Sequence, residues 1–258
     1  MTNNLSDSDK IELFLGRTQH KNLYFDGKIP PAWIFKSYHI DLEKSVNSKI
    51  NPVKSEIFYT INNLGYNSLF DYDDNLKLKS NILCLGDSNT FGLLVQKTDA
   101  WPGRLQSLME SFNIMNLGLP GGSSDTVSRI GVNTVLALDN SVKAVLAVWP
   151  SYSRREFSSN KFHSMVYRTP NNDQQIPFQD YWDFIDWRSN SYNFYKNKIL
   201  ISSVCRSKNI PFFDLEIDDD FILHKEDTLR TFKKLEINSF GIDTHKAIAN
   251  YFYKKINL

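Results

Sequence analysis

The chain has 258 residues, a length that suits one α/β domain carrying an extension. Its hydrophobic content of 41% and charged content of 23% are ordinary for a globular protein. Thirty Lys and Arg against 29 Asp and Glu leave a net charge of +1 with no long like-charge block, which argues against a protein that coats nucleic acid through clustered basic residues. The first ten residues are polar with no apolar stretch of a secretion signal. No apolar run approaches the roughly 18 residues that a membrane span needs. These features predict a soluble, cytoplasmic protein with no membrane span and no nucleic-acid partner.

Residues 1–78 read as an N-terminal extension, rich in aromatics and prolines (Tyr24, Phe25, Pro30, Pro31, Trp33, Phe35) without a clear period. Within it, Glu56 to Ile61 reads as a strand followed by the turn-prone Asn62-Asn63-Leu64-Gly65. Asp71 to Asp74 forms an acidic turn leading into the main domain, residues 79–258. There the pattern becomes strand then helix, repeated. Ile82 to Leu85 is a short apolar strand, and Thr98 or Asp99 can cap a helix running to about Phe112, with Pro102 near its first turn. Ile114 to Leu117 is the next strand, and Ser123 to Leu138 the next helix, with Ser123, Ser124 and Asp125 as cap candidates. Val142 to Trp149 is a third strand, almost continuously apolar. A helix over about Ser191 to Ser207 precedes a fourth strand, Ile210 to Leu215. Thr244 to Lys255 closes the chain as a helix, with Ala247, Ile248, Tyr251 and Phe252 spaced for one buried face. Short apolar strands alternating with helices predict a parallel sheet covered on both faces, where ligands bind beyond the carboxyl ends of the strands.

The residues just beyond each strand therefore matter most. After the first strand comes Gly86-Asp87-Ser88-Asn89-Thr90-Phe91-Gly92. A serine held there can attack with its hydroxyl, and its own N–H can help to bind the oxyanion that forms. The structural alternative is a cap, with Asp87 or Ser88 opening a helical turn. After the second strand comes Asn116-Leu117-Gly118-Leu119-Pro120-Gly121, where Gly121 and Gly122 also suit a turn before a capped helix. Cys84 and Cys205 lie in or beside apolar segments and read as two buried thiols; no cysteine or histidine spacing suggests a metal site.

Ile82 to Gly92 (ILCLGDSNTFG) resembles the first block of the SGNH/GDSL hydrolases, and Asn116 to Gly121 resembles the second. The resemblance covers roughly residues 80 to 255. It implies a flavodoxin-like three-layer sandwich with about five parallel strands and a serine esterase needing no cofactor. Ser88 is then the nucleophile and Gly121 the oxyanion-hole glycine. Two positions depart from the family pattern. The third-block Asn, an oxyanion donor, is replaced by Ser151 in Trp149-Pro150-Ser151-Tyr152. A hydroxyl donates a hydrogen bond but reaches less far than an amide. Arg154, Arg155 and Glu156 come next, as contacts to an anionic substrate group or as surface ion pairs.

The last block of the family is Asp-x-x-His. Aligning the final helix puts Glu236-Ile237-Asn238-Ser239 in that slot, and a serine does not replace a base. Asp243-Thr244-His245 supplies the acid and the imidazole with one intervening residue instead of two. His245 also falls at a helix N-terminus, where the macrodipole disfavours an imidazolium. Three possibilities stay open: His245 with Asp243 as the base pair, another histidine, or no working base. His163 and His224 are the remaining histidines of the main domain; His20 and His39 lie in the extension with no motif around them. The resemblance implies small acyl esters, lipid esters or acetyl groups on carbohydrate as substrate. Without a secretion signal or an amphipathic lid, a small acyl ester or an O-acetylated carbohydrate is expected over bulk lipid. The alternative is a catalytically impaired module with a glycan-binding or structural role, since fold alone does not fix function.

Overall fold

The computed structural model describes residues 62, 66–68, 72, 74–92, 95–119, 122–157, 165–168, 187–216 and 242–256. Strands β1 (Asn81–Gly86), β2 (Asn113–Gly118), β3 (Val142–Trp149) and β6 (Phe212–Glu216) form a parallel sheet in the order β2-β1-β3-β6. About five strands are expected for the fold; the described sheet has four. A separate antiparallel pair joins β4 (Arg154–Phe157) to β5 (Met165–Arg168). This hairpin has no local signature, because Arg-Arg-Glu-Phe lacks the β-branched alternation that marks a strand.

The helices are α1 (Ser88–Phe91), α2 (Trp101–Leu108), α3 (Ser124–Leu138), α4 (Trp187–Ser207) and α5 (Ile242–Ile256). Because successive side chains of a strand point to opposite faces, the apolar strands feed two cores. Leu83, Leu85, Met115, Leu117, Val145 and Ala147 pack beneath α3 and α4 with Val127, Ile130, Phe194 and Ile201. Ile82, Cys84, Ile114, Ala144, Leu146 and Val148 pack beneath α2 and α5 with Trp101, Leu105, Ile248 and Phe252. The result is a three-layer sandwich with helices on both faces. Tyr66, Tyr72 and Leu76, in the stretch read as an extension, belong to the first of these cores. The predicted strand at Glu56 to Ile61 lies outside the described residues.

Helix α3 starts as its sequence suggests. Ser123 is the N-cap, and a reciprocal pair of bonds with Thr126 completes a capping box. Helix α2 does not. Its N-cap is Ala100, without a side-chain cap bond, rather than Thr98 or Asp99, and it ends at Leu108, four residues before Phe112. Asp99 is instead paired with Arg104 at 2.7 Å.

Candidate active site

Strand β1 ends at Gly86, and the chain turns at once into the single-turn helix α1. Asp87 is its N-cap: Oδ1 accepts from the Asn89 N–H at 3.0 Å. Gly92 closes the turn in the left-handed region at φ 83° and donates its N–H to the Ser88 carbonyl. The carbonyl of Phe91 accepts from two side-chain amides, Asn67 at 2.9 Å and Asn116 at 3.4 Å. Asn116 also accepts from the Gly118 N–H at 3.0 Å, so one side chain ties the end of β2 to the end of α1.

The glycines at the strand ends make room for this turn. Gly86 and Gly118 sit side by side in the parallel register. A Cβ at Gly118 would lie 2.2 Å from the Phe91 nitrogen, and one at Gly86 would lie 2.1 Å from Thr90 Oγ1. Helix α1 therefore rests directly on the glycine ends of β1 and β2.

Ser88 is the first residue of α1, half-buried at the carboxyl end of the sheet. Among the described residues its hydroxyl has no hydrogen-bond partner. Its neighbour Thr90 is fully engaged, donating to the Leu85 carbonyl and accepting from the Trp101 indole. The backbone N–H of Ser88 is one of the amides that the first turn of a helix leaves without an intrahelical partner.

Gly121 lies outside the described residues, but both its flanks are anchored. Leu119 donates to the Gly86 carbonyl at 3.0 Å, and Gly122 donates to the Leu119 carbonyl at 2.9 Å. Leu119 and Gly122 are thus tied to each other, and Leu119 to the end of β1. Ser151 lies beyond β3 in a tight turn, its Oγ 2.9 Å from Ser153 Oγ and accepting from the Ser153 N–H at 3.4 Å. When Ser153 is the hydroxyl donor of that pair, the proton of Ser151 is free for another acceptor.

Each member of the Arg154-Arg155-Glu156 run is bonded into the fold, and none of them is a surface ion pair alone. Arg154 reaches Asp87 Oδ2 at 2.8 Å and the Gly122 carbonyl at 3.2 Å. Arg155 donates to the Ser189 carbonyl and to Asn190 Oδ1, at the start of α4. Glu156 holds Arg129 through both carboxylate oxygens, and the pairing with that carboxylate pushes the Arg129 guanidinium up despite its burial. Asp125 completes the anchor, accepting from Asn193, Asn197 and the Glu156 N–H. Sequence reading missed these roles; the only signal was the charge run itself, directly after the third-block position.

His245 does not meet Ser88 by a hydrogen bond. It lies on α5, 1% exposed, and its Nδ1 accepts from the Trp101 N–H at 3.2 Å. Its Nε2 is buried and has no partner among the described residues. Desolvation lowers its pKa to about 4, with the nearby Arg104 charge adding to the effect and Asp99 opposing it. An Nδ1 that accepts a hydrogen bond places the proton of the neutral ring on Nε2. The lone pair that a base would offer is the one turned to Trp101. The side chain of Asp243, and all of Glu236, Ser239, His163 and His224, lie outside the described residues. Among the described residues no group of three His, Cys, Asp or Glu could hold a metal ion, and no helix is long and apolar enough to cross a membrane.

No family model matches the chain, and no curated protein matches it in sequence. Solved structures do. One is a mutant of the esterase AlinE4, at 12% identity over 69% of this chain and 73% of that one, with a TM-score of 0.36. Another is a member of the lipolytic protein G-D-S-L family from Veillonella parvula DSM 2008, at 15% identity over 66% and 94%, with a TM-score of 0.41. The structural neighbours are thus G-D-S-L lipolytic proteins and an esterase, at low identity.

Proposed function

We propose that the chain is a serine ester hydrolase with Ser88 as its nucleophile. The observation that carries this reading is local: a half-buried serine hydroxyl without a partner among the described residues, at the carboxyl end of β1, on a turn whose Asp87 and Thr90 side chains are both committed. Ser88 Oγ attacks the acyl carbon and gives its proton to a base. The tetrahedral oxyanion is held by the N–H groups of Ser88 and Gly121 and by the Ser151 hydroxyl. Collapse releases the alcohol, and water then cleaves the acyl-enzyme to the acid and free Ser88. The proposed substrate is a small acyl ester, O-acetylated carbohydrate included.

A histidine takes the Ser88 proton in this reading. For His245 to serve, the Trp101 bond must break so that an imidazole lone pair turns to Ser88. His163 and His224 are the other histidines of the domain. Substituting each of the three by Asn and measuring hydrolysis of a short acyl ester identifies the base: only one variant should lose at least about 100-fold in kcat, the usual scale of general-base catalysis.

A second reading, a non-catalytic module of the same fold, is favoured by the tautomer that Trp101 imposes on His245. It predicts that none of the three variants matters. Ser239→His, which sets an imidazole three residues after Glu236, separates the two: a gain in hydrolysis means that only the base was missing, and no gain with Ser88 accessible means that more is absent.

A further inference from the structure

We propose that Arg154 is a positioning residue for the Ser88 site, clamping the two turns that must converge on one oxyanion and cancelling the negative charge beside it. The inference rests on the ester-hydrolase reading for its kinetic consequence, though not for its structural one.

The geometry is specific. A single guanidinium nitrogen, Nη1, donates to Asp87 Oδ2 at 2.8 Å and to the Gly122 carbonyl at 3.2 Å. Asp87 precedes Ser88, and Gly122 comes directly after Gly121. One side chain thus bridges the residues adjoining both proposed backbone donors, across two separate strand connections. The arginine is itself held from behind. It opens β4, its N–H donates to the Ser151 carbonyl, and the neighbouring Arg155 and Glu156 are bonded to α4 and α3. All three proposed oxyanion donors, Ser88, Gly121 and Ser151, are therefore within one residue of a partner of Arg154.

Charge gives the second argument. The Asp87 side chain is only 4% exposed, and its carboxylate adjoins the residue at which a tetrahedral intermediate would gather negative charge. A buried carboxylate is tolerated when paired and hydrogen-bonded. Asp87 has both: Asn89 N–H on Oδ1 and Arg154 on Oδ2. Without Arg154, an unpaired negative charge would oppose the oxyanion at short range in a poorly solvated turn. The Arg154 side chain is 23% exposed, so it touches solvent while its Nη1 is engaged on Asp87 and Gly122.

The test uses the full chain as wild type, Arg154→Ala, Arg154→Gln, Asp87→Asn and the double variant Arg154→Ala with Asp87→Asn. Asn at 87 keeps an oxygen for the Asn89 N–H and removes the charge. Two readouts are taken: kcat and KM for p-nitrophenyl acetate, and amide hydrogen exchange of the segments 86–92 and 118–124. Arg154→Ala is expected to raise exchange in both segments together and to lower kcat by about 10–100-fold, with KM within about twofold. The double variant should recover part of the lost kcat, because the uncompensated charge is gone. Arg154→Gln, which keeps a shorter donor, carries the same test if the Ala variant does not fold. Unchanged exchange in either segment overturns the clamp. A kcat within about twofold of an active wild type, or no recovery in the double variant, overturns the electrostatic role. If wild type hydrolyses nothing, the ester-hydrolase reading fails, and the exchange data alone decide the clamp.

Discussion

The imidazole of His245 caps helix α2 from outside, its Nδ1 accepting the Trp101 N–H at 3.2 Å. Ala100, at the N-cap, has no side chain to do so, and the polar candidates Thr98 and Asp99 stand too early in the chain. Trp101 passes the connection on: its indole N–H reaches Thr90 Oγ1 at 3.2 Å, and Thr90 donates to the Leu85 carbonyl at 3.2 Å. A run of hydrogen bonds thus joins α5, α2 and the Ser88 turn to the end of β1. Its first member works only while the imidazole is neutral.

That requirement has a pH signature. The folded-state pKa of His245 is about 4 against an ordinary 6.5, chiefly from desolvation. Between these values the unfolded chain binds the extra proton, so stability rises with pH across this window. The contribution is complete above pH about 6.5, falls as the pH drops, and is lost by about 4; the swing is about 3 kcal/mol. Urea unfolding from pH 4 to 7 should show this slope in wild type. In His245→Gln, which can still accept from Trp101, the slope should shrink by one proton's worth. Parallel pH profiles for the two proteins would show that His245 is not the titrating group.

Gly118 is predicted to tolerate no side chain. A Cβ there meets the Phe91 nitrogen at 2.2 Å and the Thr90 carbonyl carbon at 2.5 Å, both backbone atoms of α1. Relief requires moving the turn that bears Ser88. Gly118→Ala should cost about 2–3 kcal/mol in chemical denaturation, the upper part of the overpacking range. It should lower hydrolysis in the surviving folded protein as well.

Much of the sheet was legible because apolar strands and capped helices carry local signals. Val142 to Trp149 is nearly all apolar and is strand β3 from end to end. Ser123 announces α3 by its own side chain and forms the cap. The failures have a common cause, which is that the determining partner is remote in sequence. The start of α2 is fixed by a histidine 144 positions away. Hairpin β4-β5 begins on a charged run whose meaning lies in Asp87, Asn190 and Arg129, which no periodicity predicts. In the site, the placing of Ser88 after β1 could be read from Gly-Asp-Ser beyond an apolar strand. The orientation of His245 could not, because a ring nitrogen's partner is set by tertiary packing.

The two cysteines are predicted to be chemically silent in the folded protein. Cys84 lies inside β1 and Cys205 on the inner face of α4, both free and buried. Burial pushes the Cys205 thiol up to about 11 and raises the Cys84 thiol well above its ordinary value. The thiolate is the reactive form, so neither should react with a disulfide reagent such as DTNB at pH 8. Two thiols per chain should appear on addition of denaturant. Rapid labelling of either in native protein would contradict the packing described for these two segments.

Activation of Ser88 as a nucleophile is read out by a fluorophosphonate probe. Wild-type protein should take up one probe per chain, located by peptide mass on the segment containing Ser88. Ser88→Ala should take up none, with stability changed by no more than about 0.5 kcal/mol, since the hydroxyl makes no hydrogen bond with the described residues and is half-buried. The same variant should lose hydrolysis of short acyl esters. A folded wild type that takes up no probe, or a Ser88→Ala variant that is labelled or hydrolyses the ester at the wild-type rate, would contradict the assignment.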